Sequence, residues 1–243
     1  MRYAIIGDIH SNLEAFEMVL RDADVKGGFD KIWCLGDVVG YGPDPNECIE
    51  RLCQFEHVCV AGNHDWAAIG KMDTADFNPV AAQACQWTAQ QLTAENIEYL
   101  QNLPLSICQE DFTLIHGSPR EPIWEYLLSL EGAQDNFSHF ETTYCLVGHS
   151  HVPLIFELVD SKVVYEMFPE GAELRLGERR MIINPGGVGQ PRDGDPRASY
   201  ALYDTEARTV YHHRVEYDIQ ATQKKMTELG LPAPLILRLS VGW

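Results

Sequence analysis

The chain has 243 residues, 45% hydrophobic and 22% charged, a composition ordinary for a globular protein. Its 36 acidic residues against 18 Lys and Arg give a formal charge of −18 with no cationic run, which argues against a nonspecific duplex nucleic-acid surface. No apolar stretch approaches bilayer-spanning length, and the seven cysteines, which form no CxxC pair, read as reduced core thiols, so a cytoplasmic protein without a membrane partner is expected.

RYAIIGD, from Arg2, is a short apolar run ending in Gly-Asp and suits a buried strand. Since motif residues begin at Asp8, the first residues are not expected to be a cleavable signal peptide. Ser11 and Glu14 form an S-x-x-E capping box ahead of Leu13, Phe16, Val19 and Leu20 at helical spacing. KIWCLGD repeats the strand and loop, and after the turn-rich GYGPDP a helix is expected from about Pro45 to Leu52. HVCVAGNHD is a third strand of this kind. Trp66 to Leu103 reads as two or three helices, one capped by Thr93 and stopped by Pro104. FTLIHGSP is a fourth strand, IWEYLLSL a short helix and YCLVGHSH a fifth strand.

After His151 the texture changes. LIFELVD, KVVYEMF, ELRL, RRMIINPGG, SYALYDT and TVYHHRVEY are short β runs, expected to form an antiparallel second sheet. A helix follows from about Asp218 to Leu229, and LILRLSVGW reads as a last strand or an ordered arm. Motifs that have to converge from Asp8 to His151 favour one domain over residues 1–243, with the motifs in 1–200 and a hairpin, helix and tail in 200–243.

Five strings place Asp, Asn or His directly after an apolar run: GDIH at Gly7–His10, LGD ending at Asp37, GNHD at Gly62–Asp65, HGSP from His116 and GHSH at Gly148–His151. A strand ending in a loop is how an α/β scaffold presents metal ligands from distant segments. Asp8 and His10 alternate by two, which on extended backbone turns both to one side, and His149 and His151 repeat that spacing. Asp37 suits a carboxylate bridging two ions, and Asn63 offers a neutral amide oxygen. His64 can act as an acid towards a leaving oxygen while Asp65 fixes a nearby backbone or ring. Singly, each string has an ordinary explanation as a polar turn or a helix cap; together they read as a metal site. Between Asn184 and Tyr200, glycines permit close approach, and Arg192 and Arg197 are candidates to clamp phosphate oxygens; a solvated Gly/Pro-rich loop is the alternative. His57, His139, His212 and His213 lie outside the strings and read as surface or core histidines.

In this order the strings resemble the motifs of the calcineurin-like metallophosphoesterase superfamily, particularly its compact YfcE-like phosphodiesterases, over about Met1 to Tyr200. The resemblance implies a mixed α/β (α+β) fold, a four-layer α/β/β/α sandwich with two divalent metal ions at the sheet ends, manganese foremost, with iron, zinc, nickel or magnesium as alternatives. It implies that Asp8, His10 and His151 ligate one ion, that Asn63, His116 and His149 ligate the other, that Asp37 bridges both and that His64 is the catalytic histidine.

The protein Ser/Thr phosphatases and symmetric dinucleoside tetraphosphatases of the superfamily carry GDxVDRG and RGNHE. This chain has Gly40 where the second Asp stands, Ala61 in place of the Arg and Asp65 in place of the Glu. Those departures lean away from protein phosphatases and leave Arg192 and Arg197 to substitute for phosphate-binding arginines. The expected reaction is hydrolysis of a small phosphate ester by a metal-bridging hydroxide, with His64 assisting the departing oxygen. The alternatives are a hydrolase of nucleotide polyphosphates or cyclic nucleotides, and a non-catalytic scaffold on the same fold. The presence of His64 and of all the ligands favours an enzyme.

Overall fold

The computed structural model describes residues 1–243, and its first half is built from strands that stop just short of the motif strings. β1 (Arg2–Ile6), β2 (Lys31–Cys34) and β3 (His57–Cys59) run parallel, each followed by a helix: α1 (Leu13–Val25), α2 (Pro45–Leu52) and α3 (Asn63–Ala68). α4 (Pro79–Gln91) and α5 (Ala94–Gln101) start where Asn78 and Thr93 accept backbone N–H groups of Ala81 and Asn96. β4 (Ser106–Gln109) and β5 (Phe112–Ile115) form a hairpin, followed by α6 (Leu130–Asn136) and β6 (Tyr144–Leu146). The remainder is β7 (Leu154–Val159), β8 (Lys162–Met167), β9 (Glu173–Arg175), β10 (Met181–Asn184), β11 (Ala198–Asp204), β12 (Thr209–Val215), α7 (Ile219–Glu228) and α8 (Ala233–Arg238).

The strands make two six-stranded sheets, ordered β3-β2-β1-β11-β12-β9 and β4-β5-β6-β10-β7-β8. Alternation along β1 sorts its side chains between two layers. Tyr3 and Ile5 join Trp33, Phe112, Leu114, Tyr144 and Ile183 in the apolar layer between the sheets, where Tyr3 stacks on Trp33 at 4.1 Å. Ala4 and Ile6 face the other way, against Phe16 and Val19 of α1 and Ile49 of α2. On the far side, Ala133 and Phe137 cover Cys145, Phe156 and Ile182 of the second sheet. The layer order is therefore helix, sheet, sheet, helix, and no helix is long and apolar enough to cross a membrane.

Four local expectations are corrected. The β segments after His151 do not form a sheet of their own: β9, β11 and β12 extend the first sheet beside β1, and β7, β8 and β10 extend the second, with β10 parallel to β6. The parallel trio β1–β3 and the set β4–β6 thus each gain partners from the second half, and the chain passes from β10 in the second sheet to β11 in the first over residues 185–197. Helix α1 is capped by Asn12, whose Oδ1 accepts from Ala15 N–H at 3.2 Å, and not by Ser11. Ser11 is left-handed (φ 54°) and gives its N–H to Val38 O, so the helix starts later and Glu14 pairs with Lys225 instead. IWEYLLSL is not helical; it stays open because Trp124 O accepts from the His149 ring and Gly117 packs against Glu121 O and Trp124 N, and the helix begins at Leu130. The tail forms α8 in place of a strand or arm, burying Leu235 and Leu239 against Tyr41 and Met226. All seven cysteines are free, with Cys53 and Cys108 exposed and the other five buried.

Candidate metal centre

The ends of β1, β2 and β3 in one sheet and of β5 and β6 in the other bring Asp8, His10, Asp37, Asn63, His116, His149 and His151 to one place, none of them more than 3% exposed. They do not converge through extended alternation. Asp8 (φ 54°), His10 (49°), Asp37 (52°), His149 (63°) and His151 (57°) all lie in the left-handed region, where a side chain costs roughly 1–2 kcal/mol. Such strain gathered on one cluster is a mark of a functional site, because only a tightly determined surrounding sustains it. Neighbouring glycines permit the crowding: a Cβ on Gly62 would stand 2.0 Å from Asp37 Oδ1, and one on Gly189 1.8 Å from Ile9 O.

Three groups hold donor atoms within 4.8 Å of one another: Asp8, His10 and His151; His10, Asp37 and His64; and Asp37, His116 and His149. Asp37 Oδ2 lies 3.6 Å from His10 Nε2 and 3.4 Å from His116 Nε2, between the first and third groups. Each histidine is oriented by a backbone carbonyl on its far nitrogen: Val39 O for His10 Nδ1, Leu35 O for His116 Nδ1, Gln190 O for His151 Nδ1 and Trp124 O for His149 Nε2. If those nitrogens carry the proton, the other nitrogen of each neutral ring presents a lone pair to the centre. His10 Nε2 then faces His151 Nε2 at 3.1 Å, and His116 Nε2 faces His149 Nδ1 at 3.2 Å. Asp8 Oδ2 and Asp37 Oδ2 are buried with no hydrogen-bond partner. Lone pairs set against lone pairs and unsatisfied carboxylate oxygens are what a cation would relieve, so the residues fit a metal.

The charges agree with that fit. Burial pushes His10, His149 and His151 well below the ordinary histidine value, keeping them in the neutral form that ligation requires. Burial pushes Asp8 up to about 7, whereas Asp37, which burial would also raise, is held well below its ordinary value by His116 and His64. His116 differs from these three: Asp37 raises it to about 9 against the pull of burial, so without a cation its ring holds a proton that a metal ion would have to displace.

His64 opens α3 beside Asn63, and its backbone N–H donates to Asp37 Oδ1 at 2.9 Å. Burial lowers its pKa to about 4, so the ring is neutral. Its Nδ1 lies 3.2 Å from Cys85 Sγ, and Tyr41 and Phe77 pack at 4.2 and 5.1 Å. Asp65 fixes the backbone of both neighbouring strings by accepting from Asp37 N–H, Gly62 N–H and Val39 N–H.

The two arginines expected as a clamp part company. Arg197 is bound by Asp195 and, at 2.7 Å, by Glu170, so its guanidinium is engaged with carboxylates and is not free for a phosphate in this arrangement. Arg192 has no carboxylate partner: it lies over the Tyr41 ring and donates to Gln190 Oε1 at 3.2 Å, and its buried Nε has no partner. Sequence reasoning did not find Cys85, Tyr41, Tyr126, Asn184 or Arg238. Asn184 was legible in part, since it opens the Gly-rich segment; its amide holds Gly148 O and Ser150 Oγ and so shapes the GHSH turn. Cys85 carried no local signal, being mid-helix in a Gln- and Ala-rich stretch.

The family model for the calcineurin-like phosphoesterase superfamily domain matches residues 1–208. An uncharacterized protein of Methanocaldococcus jannaschii is 40% identical over 244 residues, covering 98% of this chain and 97% of that protein. The symmetrical bis(5'-nucleosyl)-tetraphosphatase of Pseudomonas putida is 29% identical over 100 residues, 35% of each protein. Among solved structures, a metallophosphoesterase from Sphaerobacter thermophilus superposes with a TM-score of 0.91 at 49% identity, over 100% of this chain and 99% of that one. A hypothetical protein from Pyrococcus horikoshii shares the fold, with a TM-score of 0.82 at 21% identity over 100% and 98% of the two chains. With its layers, its ligand cluster and these likenesses in agreement, the chain belongs to the calcineurin-like phosphoesterase superfamily and is a metal-dependent phosphoesterase.

Proposed function

We propose that this phosphoesterase hydrolyses small phosphate esters at two divalent cations, manganese foremost. Asp8, His10 and His151 would hold one and Asn63, His116 and His149 the other, with Asp37 shared. The observation that carries this reading is the placement of Asp37 Oδ2, unpartnered and between His10 and His116. When bound, such ions neutralise phosphoryl oxygens and bring the pKa of a water towards neutrality.

The chain's own residues do the rest. The carbonyls of Leu35, Val39, Trp124 and Gln190 fix the four imidazoles, so little rearrangement is needed on binding. With Nδ1 turned to Cys85, His64 would present Nε2 to the departing oxygen, stabilising it by a hydrogen bond from the neutral ring, or protonating it if the phosphoryl charge of a bound substrate raises the ring's pKa, a role typically worth ~10²–10⁴ in rate. Rates on a nitrophenyl monoester, a nitrophenyl diester and a panel of nucleotides with Mn²⁺ test the reading. Turnover on at least one class that disappears on chelation is expected; no turnover on any of them by metal-loaded protein contradicts it.

A second reading, hydrolysis of nucleotide polyphosphates, is favoured by exposed aromatic rings at the rim. Tyr126, 50% exposed, stacks on His149 at 3.8 Å, and Trp124, 37% exposed, packs against Phe77 at 5.1 Å. Aromatic faces beside a phosphoryl site suit a nucleobase. The Pseudomonas putida relative is named for such a substrate. Faster turnover of dinucleoside polyphosphates than of nitrophenyl esters would select it.

A further inference from the structure

In a protein with twice as many acidic as basic side chains, a pair of neighbouring guanidinium groups with no Asp or Glu side chain between them stands out. Arg192, from the segment that crosses between the sheets, and Arg238, at the end of α8, both donate to the same neutral acceptor, Gln190 Oε1, at 3.2 and 3.0 Å. Neither forms an ion pair with an Asp or Glu side chain; the Nε edge of Arg238 donates to the terminal oxygen of Trp243, which leaves its Nη edge on Gln190, and Arg192 reaches Tyr41 Oη at 3.5 Å. Two cations sharing one amide oxygen repel each other, and an anion placed between them turns that repulsion into attraction.

The pair is tied directly to the metal centre. The backbone carbonyl of Gln190 holds His151 Nδ1, and the Tyr41 ring beneath Arg192 packs at 4.6 Å from His10 and 4.2 Å from His64. Arg192 therefore stands one aromatic ring away from His10 and His64, a position suited to an anionic group next to the one at the metal centre. Tyr126, which stacks on His149, lies within electrostatic reach of both arginines.

We propose that Arg192 and Arg238, with the Tyr41 and Tyr126 hydroxyls, form an anion subsite that takes a second phosphate group of the substrate. The preferred substrates then carry at least two phosphates, with one at the metal centre and its neighbour on the arginines. The inference rests on the proposed phosphoesterase reading and narrows it. It also gives α8 a purpose, because the helix delivers Arg238 over the Gln190 side of the site.

Calorimetric titration of the Mn²⁺-loaded protein with methylenediphosphonate, which carries two phosphorus groups and resists hydrolysis, tests the subsite against orthophosphate as the single-group control. Arg192→Gln and Arg238→Gln are each expected to weaken methylenediphosphonate by about tenfold or more, the loss of one charge-assisted contact, while orthophosphate binding changes far less. Arg238→Lys, which keeps the charge without the planar fork, is expected to fall between wild type and Gln. Equal weakening for both anions, or none for methylenediphosphonate, overturns the proposal. If the Gln variants fail to fold in a thermal melt, the Lys variant and the wild-type preference for the two-phosphorus probe decide it, and a wild type without that preference overturns it. A protein that hydrolyses no ester yet shows this selectivity contradicts the phosphoesterase reading and not the subsite; normal ester turnover without the selectivity contradicts the subsite alone.

Discussion

His64 Nδ1 faces Cys85 Sγ at 3.2 Å, in the place where an acidic partner for the ring would otherwise stand. Gly40, the position of the Asp in GDxVDRG relatives, cannot supply that partner: it is left-handed (φ 94°), and a Cβ there would lie 2.6 Å from His64 Nδ1. Burial pushes the Cys85 thiol well above its ordinary value, so it stays protonated and its S–H points the His64 tautomer in one direction. His64→Ala is expected to lower kcat by ~10²–10⁴ with metal content unchanged, and an unaltered kcat would remove His64 from the reaction.

Cys85 acts through His64 and not on substrate, so its variants separate orientation from packing. Cys85→Ser, which keeps a donor of similar size, is expected to retain most of kcat, while Cys85→Ala loses roughly the contribution of one hydrogen bond, about tenfold or less. Equal effects of the two substitutions on kcat, at matched thermal stability, would make the contact mere packing. Gly40→Asp is expected to abolish turnover, because the new side chain displaces the His64 ring.

Arg197→Ala is expected to leave KM unchanged and to cost up to about 1 kcal/mol of stability, as for a partly exposed ion pair with Asp195 and Glu170. A clear rise in KM in steady-state kinetics would return Arg197 to the substrate site.

His212 supplies a pH dependence away from the centre. It is fully buried with Nε2 2.8 Å from Ser199 Oγ, and burial lowers its pKa from 6.5 to about 4. Between those values the unfolded chain binds a proton that the folded chain refuses, so this contribution is complete above 6.5 and is lost as pH falls towards 4. Urea midpoints measured across that window should fall less steeply for His212→Gln than for wild type; parallel slopes would show that His212 does not carry the effect.

The four layers followed only from the family resemblance, whereas the motif strands and the candidate ligands were legible because each rests on local pattern: an apolar run, a turn and a side chain with lone pairs. Asp8, His10 and Asp37 were found for that reason, although the backbone that unites them is left-handed and not extended. What was not legible depends on packing between distant segments. The β runs after His151 carry strand signals but no label for the sheet they join, and β11 lies beside β1 only because the chain crosses over the ligand loops. IWEYLLSL has a helical composition that the His149 bond to Trp124 O overrides. Cys85 and Arg238 matter through His64 and Gln190, partners 21 and 48 residues away, which no local spacing reveals.

Metal content per chain, measured by elemental analysis after loading and desalting and compared between wild type and Asp37→Ala, bears most directly on the shared-carboxylate centre. Two equivalents in wild type are expected, with stoichiometry and turnover falling together in Asp37→Ala because both ion positions lose a ligand. One equivalent or none in wild type, or full metal retention and turnover in Asp37→Ala, would contradict a two-metal centre built on Asp37.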